Sequence, residues 1–394
     1  MTEIQKKHYF DWASTSPLDV EIIRDALEKT QNIWANPSSI HSGGKEAKNL
    51  LENARALCAE VLDVKPEQLF FTSGGTEGDH IPLLSILNKP QKEGTVLLSS
   101  IEHPALREMA TSLKKCGINV VQIPSDKNGI ITEDAVLQKL TEDTLLVCVM
   151  AVNNETGAIQ PIYKIADVIK NFSNGKRKIR FHVDCVQAAG KIPLNLNYPG
   201  IDSASFSAHK ISGPRGIGLL YSKDIFEPFL KGGGQEHNIR SGTENLFGAV
   251  AFAECLKKYY ITQKNPSSID FFNEMNKNTI DFVQNLSQIS GCTLIPESRL
   301  KNPENYSPFV VQASFKNIPG QVMLRALDAE GFYISTGSAC SSKKNNRPVL
   351  AAMNVSGSLS ENAVRFSFGH STTKQDLSEL FEKVLEIYKR FNKE

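Results

Sequence analysis

The chain has 394 residues, of which 40% are hydrophobic, and this length is enough for two globular domains of ordinary size. The 44 basic and 43 acidic side chains nearly cancel, so no overall charge favours nucleic acid or an anionic membrane, and we expect a small-molecule substrate or protein partners. No run approaches the roughly 20 apolar residues of a membrane span and no apolar signal core follows the first residues, so we expect a cytoplasmic protein.

Strand-like apolar runs alternate with helical patterns through about the first 220 residues. This alternation is typical of an α/β fold, in which helices cover a mainly parallel sheet. The predicted strands cover residues 68–72, 95–99, 119–123, 145–149, 179–184, 203–207 and 217–221.

The rhythm changes beyond about Thr243, where long helical patterns dominate. The predicted strands there are 309–315 and 364–368, and a final helix is predicted over 374–391. This pattern indicates a smaller α+β domain, with the polar stretch 263–268 close to its boundary. We therefore predict a large domain over residues 15–258 and a small domain formed by residues 1–14 and 259–394.

A glycine-containing turn follows the first predicted strand, in Ser73-Gly74-Gly75-Thr76. The backbone amides at Gly75 and at the start of the next helix can receive a phosphate, and Thr76 can add a hydroxyl. Glycines at a strand-to-helix turn also serve simply to permit the turn. This segment alone therefore leaves both interpretations open.

Three more polar residues follow predicted strands. His103 could stack on a flat ring or shuttle protons, or it could simply start a helix. Asn154 could donate to a ring oxygen, or it could belong to a turn. Asp184, followed by Gln187, could pair with a protonated pyridine nitrogen, or it could cap the next turn.

Lys210 ends the run Ser205-Phe206-Ser207-Ala208-His209-Lys210. Desolvation or nearby positive charge can make such an amine nucleophilic enough to form a Schiff base, and pyridoxal phosphate is the cofactor it would then bind. If this run stood alone, a surface lysine at a strand end would be the favoured interpretation. Because the carboxyl ends of parallel strands meet at one edge of a sheet, the convergence of these segments favours one cofactor site.

These segments, in this order, resemble the cysteine desulfurases of the NifS/IscS-like group, within the class V aminotransferase family, over nearly the whole chain. The matching motifs are residues 36–39 (NPSS), 72–77 (TSGGTE), 102–104 (EHP), 152–157 (VNNETG), 182–188 (HVDCVQA), 205–210 (SFSAHK), 213–218 (GPRGIG), 232–236 (GGGQE), 240–243 (RSGT), 338–340 (SAC) and 365–367 (RFS). The resemblance implies the fold of type I pyridoxal-phosphate-dependent transferases, with a mainly parallel sheet of seven strands. It also implies pyridoxal 5'-phosphate as cofactor, L-cysteine as substrate and no metal.

The resemblance also implies roles around the cofactor ring. Lys210 would form the Schiff base, and Asp184 would pair with the pyridine nitrogen. His103 would stack on the ring and assist proton transfer. Asn154 and Gln187 would contact the oxygen side of the ring.

Further implied roles concern the phosphate, the substrate and a second subunit. The implied phosphate contacts are Gly75, Thr76, Ser207 and His209. Arg365 would bind the substrate carboxylate as a planar bidentate cation, with Asn36 nearby. Thr243 would reach the cofactor of the partner subunit, which implies a homodimer with shared sites.

Cys340 distinguishes the chemistry within the family, because its neighbours in residues 335–342 are small and polar. The chain's seven cysteines show no paired Cys-x-x-Cys spacing, and most, such as Cys148 in its apolar strand, are predicted to be buried hydrophobes. The resemblance implies that Cys340 accepts sulfur as a persulfide and passes it to an acceptor or an iron–sulfur scaffold protein. A selenocysteine lyase or another class V aminotransferase would share Lys210, Asp184 and Arg365, so these alternatives stay open.

The chain departs from the usual family pattern at several positions, and two of them lie close to predicted site residues. Gly78-Asp79-His80 replaces a serine or alanine followed by asparagine-rich residues, which leaves the local helix geometry open. Cys185 follows Asp184 where alanine or threonine is usual, and we interpret it as a steric substitute.

Overall fold

A computed structural model describes residues 8–88, 94–337 and 347–392 of the chain. Seven strands form its larger sheet. They are β1 (Leu69–Thr72), β2 (Thr95–Ser99), β3 (Asn119–Ile123), β4 (Thr144–Cys148), β5 (Arg180–Asp184), β6 (Ser203–Ser207) and β7 (Gly218–Ser222). The spatial order is β1-β7-β6-β5-β4-β2-β3, and β7 is antiparallel to both of its neighbours whereas the other pairs are parallel.

Helices cover this sheet, which explains the apolar runs in strands such as β2 and β4. The helices are α1 (Val20–Thr30), α2 (Ser42–Leu62), α3 (Gly75–Leu84), α4 (Pro104–Lys115), α5 (Glu133–Leu137), α6 (Ile162–Phe172) and α7 (Leu246–Tyr259). Strands β2 and β4 are buried at every position, as parallel strands covered on both faces must be. Helix α6 buries Ile162, Ile165, Ala166 and Ile169, so its three- and four-residue spacing gives one apolar face.

A second, three-stranded antiparallel sheet follows, in the order β10-β9-β8. It consists of β8 (Cys292–Leu294), β9 (Val310–Phe315) and β10 (Ala363–Ser367). Its helices are α8 (Pro266–Ser287), α9 (Gly320–Ala329), α10 (Pro348–Ala352), α11 (Gly357–Glu361) and α12 (Lys374–Asn392). Phenylalanines of β9, β10 and α8 share a core with apolar residues of α12.

The predicted fold class, a mainly parallel seven-stranded sheet beside a smaller α+β unit, is confirmed. The division at residues 15–258 stays a prediction. The N-terminal segment spans both units, because Asp11 forms a bridge to Ser367 of β10 whereas Ser16 N donates to His209 O, 2.8 Å away, beside β6. Within the described ranges, no helix is long and apolar enough to cross a membrane.

Candidate active site

A cavity of about 250 Å³ lies where the carboxyl ends of the central strands meet. Among the residues expected from sequence, Gly75, Thr76, His103, Asn154, Asp184, Gln187, Ser207, His209, Lys210 and Arg365 line it. They come from several elements, so the packing of the strands brings together side chains that are far apart in sequence.

One end of this cavity is built from the glycine turn before α3. Gly74 has φ 155° and ψ −178°, a backbone conformation that essentially only glycine adopts. A Cβ on Gly75 would lie 2.5 Å from Val186 Cγ2, so a side chain there would collide with the cavity wall. No side chain at Gly74 caps the helix, and the first-turn amides of α3 therefore suit an anionic group such as a phosphate.

Lys210 lies at the end of a short turn, Ala208–Lys210, that follows β6. Its Nζ donates to the carbonyl oxygens of Ala13 and Ser14, at 2.6 and 2.7 Å. The N-terminal segment thus holds the amine at the cavity wall. The sequence analysis did not identify Ala13 and Ser14 as residues of the site. The run of small residues at positions 13–16 was the feature that could have indicated them.

Asp184 ends β5 and is only 5% exposed. Its Oδ1 accepts a hydrogen bond of 2.8 Å from Val186 N. Burial, and then the nearby negative charge of Asp79, raise the pKa of Asp184 to about 8. A protonated pyridine nitrogen would therefore suit this carboxylate, because it would bring the positive charge that favours the ionised form.

Asp79, on the cavity wall, is a residue that the sequence motifs did not assign. It accepts a hydrogen bond from Ser205 Oγ and lies 3.2 Å from His182 Nε2, while His182 Nδ1 lies 2.8 Å from Ser203 Oγ. Burial raises the pKa of Asp79 to about 7 and lowers the pKa of His182 to about 4. Helix α3 runs through Gly78-Asp79-His80 to Leu84, so this departure from the family pattern brings a carboxyl group to the site without interrupting the helix.

His103 is the N-cap of α4, and its Nδ1 accepts a hydrogen bond of 3.2 Å from Ala105 N. This contact leaves the hydrogen of a neutral ring on Nε2. Burial, followed by the charges of Lys210 and Arg107, lowers the pKa of His103 to about 4. The ring is therefore neutral near pH 7, and the residue is both a helix start and part of the cavity wall.

The turn at residues 153–157 contains two successive asparagines, and the sequence alone did not show which of them stabilises the turn and which faces the cavity. Asn153 Oδ1 accepts hydrogen bonds of 2.9 Å from the backbone amides of Glu155 and Thr156, so Asn153 stabilises the turn. The next residue, Asn154, lines the cavity. The two successive asparagines thus have different surroundings.

Arg365 enters the cavity from β10 of the second sheet and is 1% exposed. Its Nη1 donates to Asn154 O at 2.9 Å, and its Nη2 donates to Asp11 Oδ1 and Ser14 Oγ, both at 2.8 Å. Its buried Nε has no partner among the described residues. The guanidinium therefore joins the two units where the cavity lies.

Two expected site residues are not brought to this cavity, and a third lies outside the described residues. Asn36 is exposed and its Oδ1 accepts from Ser38 N at 2.8 Å. Thr243 is also exposed and does not line the cavity of its own chain. Cys340 lies outside the described residues, which end at Gly337 and resume at Arg347.

The chain is similar to known proteins over nearly its whole length. The sequence model of the family described as Aminotransferase class-V matches residues 8–380. A cysteine desulfurase IscS from Dictyoglomus turgidum is 33% identical over 97% of this chain and 95% of its own, and a NifS/IcsS protein homolog from Lactobacillus delbrueckii is 35% identical over 98% of both.

Solved structures give the same result at the level of the fold. A NifS-like protein superposes with a TM-score of 0.85 at 32% identity, covering 96% of this chain and 98% of that one. The structure described as DndA from Streptomyces lividans superposes with a TM-score of 0.74 at 28% identity, covering 91% of this chain and 99% of that one.

Proposed function

We propose that this chain removes sulfur from L-cysteine and releases L-alanine. It belongs to the class-V aminotransferase family, and relatives to which it is similar over nearly its whole length are named cysteine desulfurases. The observation that supports this most directly is the meeting of Lys210, Asp184, His103 and Arg365 around one cavity. An amine, a buried carboxyl group, a neutral imidazole and a guanidinium are together suited to hold pyridoxal phosphate and an amino acid.

The residues present fit that cofactor. Lys210 Nζ would anchor it, and Asp184 would face its pyridine nitrogen. Its phosphate would be held by Gly75, Thr76, Ser207 and His209. When bound, pyridoxal phosphate acts as an electron sink for the negative charge that develops on the substrate Cα.

Lys210 would also move the proton at the substrate Cα, because its Nζ lies at the cavity wall between two backbone carbonyls. His103 would pack against the cofactor ring as a neutral imidazole and assist this transfer. Asn154 and Gln187 would contact the oxygen side of the ring. The Nε of Arg365 has no partner among the described residues, and this guanidinium would bind the substrate carboxylate.

The sulfur transfer itself is assigned to Cys340. Its thiolate would attack the substrate sulfur, the bond between substrate carbon and sulfur would break, and the electron pair would stay on the carbon fragment. Protonation of that fragment gives alanine, and a persulfide remains on Cys340. The proposed small domain, residues 1–14 and 259–394, would present this persulfide to a sulfur acceptor or an iron–sulfur scaffold protein.

A shared site in a homodimer is the second part of the proposal. Thr243 is exposed and lies outside its own cavity, so it is accessible to a second copy and would contact the cofactor there. Asn36 stays a predicted substrate contact, since it is exposed in the isolated chain.

The proposal is tested by the absorbance of the purified protein together with an alanine and sulfide assay on L-cysteine. Cys340→Ser should abolish both products and leave the cofactor absorbance intact, whereas Lys210→Ala should remove the absorbance change caused by borohydride. Continued desulfuration by the Cys340→Ser protein would contradict the role of that thiol. Faster turnover of selenocysteine than of cysteine would identify a selenocysteine lyase instead.

A further inference from the structure

The side-chain amide of Gln187, on the cavity wall, has a partner at each of its polar atoms. Its Nε2 donates to Ala13 O at 2.8 Å, and its Oε1 accepts from Lys191 Nζ at 2.6 Å. Ala13 O also accepts from Lys210 Nζ. A chain of contacts therefore runs from Lys191 through Gln187 and the Ala13 carbonyl to Lys210.

These two contacts set the orientation of the amide. A carbonyl oxygen can only accept a hydrogen bond, so Ala13 O must face the NH2 group of Gln187. Oε1 carries no hydrogen, so Lys191 must be the donor at the other end. The second N–H of Nε2 is left for an acceptor in the cavity.

Lys191 is placed for this contact by the turn that follows β5. It lies four residues after Gln187, in a turn in which Lys191 N donates to Ala188 O at 3.0 Å. Gly190 has a φ of 68°, and a Cβ there would lie 3.1 Å from both Ile211 Cγ2 and Tyr259 O. Glycine at this position thus allows the chain to turn and bury the next side chain.

Burying this lysine is costly. Lys191 is 3% exposed, and burial, together with the charges of Lys210 and Arg365, lowers its pKa well below the usual value. In the described part of the chain its Nζ hydrogen-bonds only to Gln187 Oε1. An apolar side chain of similar length would avoid the desolvation cost, so a function other than stability is indicated.

We infer that Lys191 is a positioning residue for the cofactor: it holds Gln187 Oε1 so that the amide presents an N–H donor to the ring oxygen of pyridoxal phosphate. This inference rests on the proposed function. Without Lys191, Gln187 Nε2 keeps its hydrogen bond to Ala13 O. Gln187 Oε1 loses its donor, and the plane of the amide is then free to rotate. The expected loss of cofactor affinity is therefore modest.

The test is a titration of the cofactor-free protein with pyridoxal phosphate at fixed pH, with the dissociation constant and the absorbance spectrum as readouts. Lys191→Met should weaken binding of pyridoxal phosphate about fivefold, because the hydrogen bond from the Gln187 amide to the charged ring oxygen is weakened. It should also shift the absorbance spectrum in the same direction as Gln187→Ala does. Lys170→Met, the same change at an exposed lysine of α6, should alter neither.

The double variant Lys191→Met, Gln187→Ala separates positioning from charge. If Lys191 acts through the amide, Lys191→Met has no further effect once Gln187 is alanine. If the lysine acts through its charge, the effect persists in that background, and the inference is wrong. Lys191→Gln, which keeps a donor without the charge, should retain most of the affinity and covers the case in which the methionine variant does not fold.

The possible failures are distinct. If the unchanged protein binds no pyridoxal phosphate, the proposed function itself is wrong. If the unchanged protein binds it and Lys191→Met leaves both the dissociation constant and the spectrum as they were, only the inference about Lys191 fails.

Discussion

At the scale of single residues, the cavity is unusual in the number of ionisable groups that it keeps out of water. Asp79 and Asp184 are both buried at its wall, and each has a raised pKa. His182 is buried nearby and His209 is half-buried at the cavity wall, and their pKa values are lowered to about 4 and about 3. Burial thus favours the uncharged form of each group. A charged ligand in the cavity can shift the equilibrium between the charged and uncharged forms.

Asp79 should give the folding free energy of the cofactor-free protein a measurable pH dependence. Its pKa is about 7 when folded, above its value when unfolded, so the folded state binds the proton more tightly. Stability from this group is present at acidic pH and is lost as pH rises from about 4 to about 7, by about 4 kcal/mol. Asp79→Asn should remove this loss.

Urea unfolding of both proteins across that pH range measures the difference. The buried histidines contribute the opposite slope and are common to both proteins. Because the charge of Asp79 raises the pKa of Asp184, the difference between the two proteins reports Asp79 together with its effect on Asp184. Asp328→Asn, at an exposed position of α9, should follow the unchanged protein. Parallel curves for Asp79→Asn and the unchanged protein would contradict the raised pKa.

At the scale of elements, a buried ion pair fixes the loop before Thr243. Arg55 of α2 donates to both carboxylate oxygens of Glu236, at 2.7 and 2.8 Å, and Glu236 Oε2 also accepts from Phe71 N of β1. Glu236, His237 and Asn238 all have positive φ, at 46°, 55° and 68°. Such backbone strain in non-glycine residues persists only when surrounding contacts enforce it.

Removing one partner of this pair should be strongly destabilising, because it leaves a buried charge uncompensated. We expect Arg55→Met to lower the free energy of unfolding by about 3–5 kcal/mol. The double variant Arg55→Met, Glu236→Gln should recover part of that loss. Urea unfolding measures both effects, and a double variant less stable than Arg55→Met alone would contradict this account.

At the scale of the whole molecule, two sheets meet at one site through the N-terminal segment and Arg365. Because Asp11 binds Arg365 and lies beside β10, while Ala13 and Ser14 bind Lys210, residues 11–14 connect both units to the cavity. Relative movement of the two units would therefore alter the surroundings of Lys210 and of Arg365 together.

Sharing of sites between two copies predicts complementation. Lys210→Ala lacks the anchoring amine, and Thr243→Ala should bind the cofactor about tenfold more weakly, since a hydrogen bond to a charged phosphate is lost. In a mixed dimer one of the two sites combines an intact Lys210 with an intact Thr243 from the partner. Cofactor titration after subunit exchange should therefore show a class of sites with the original affinity.

The two parent variants, titrated separately, are the controls for this experiment. A mixture that titrates as the simple sum of the two parents, although sedimentation shows mixed dimers, would contradict the shared site. A protein that sediments as a monomer would contradict the homodimer itself.

Local patterns were sufficient for much of the fold. Strands β2, β3 and β6 were predicted at their observed bounds, and β4 and β7 were displaced by one residue, because a buried apolar run is visible within a window of a few residues. Strand β8 was not predicted, since its three residues include two that are only half-buried. The predicted site residues that line the cavity all lie within the short motifs that identified the family resemblance, and most of these motifs follow a predicted strand.

The sequence by itself determined the alternation of strands and helices, the order of the motifs and the residue types that suit an amine-anchored cofactor, because these depend on neighbours along the chain. Only the tertiary structure showed that Asp79 meets Ser205 across 126 residues, that Arg365 meets Asp11 across 354, and that Lys191 is buried against Gln187. Such contacts depend on how the sheets, helices and N-terminal segment pack. No local pattern of residues specifies that packing.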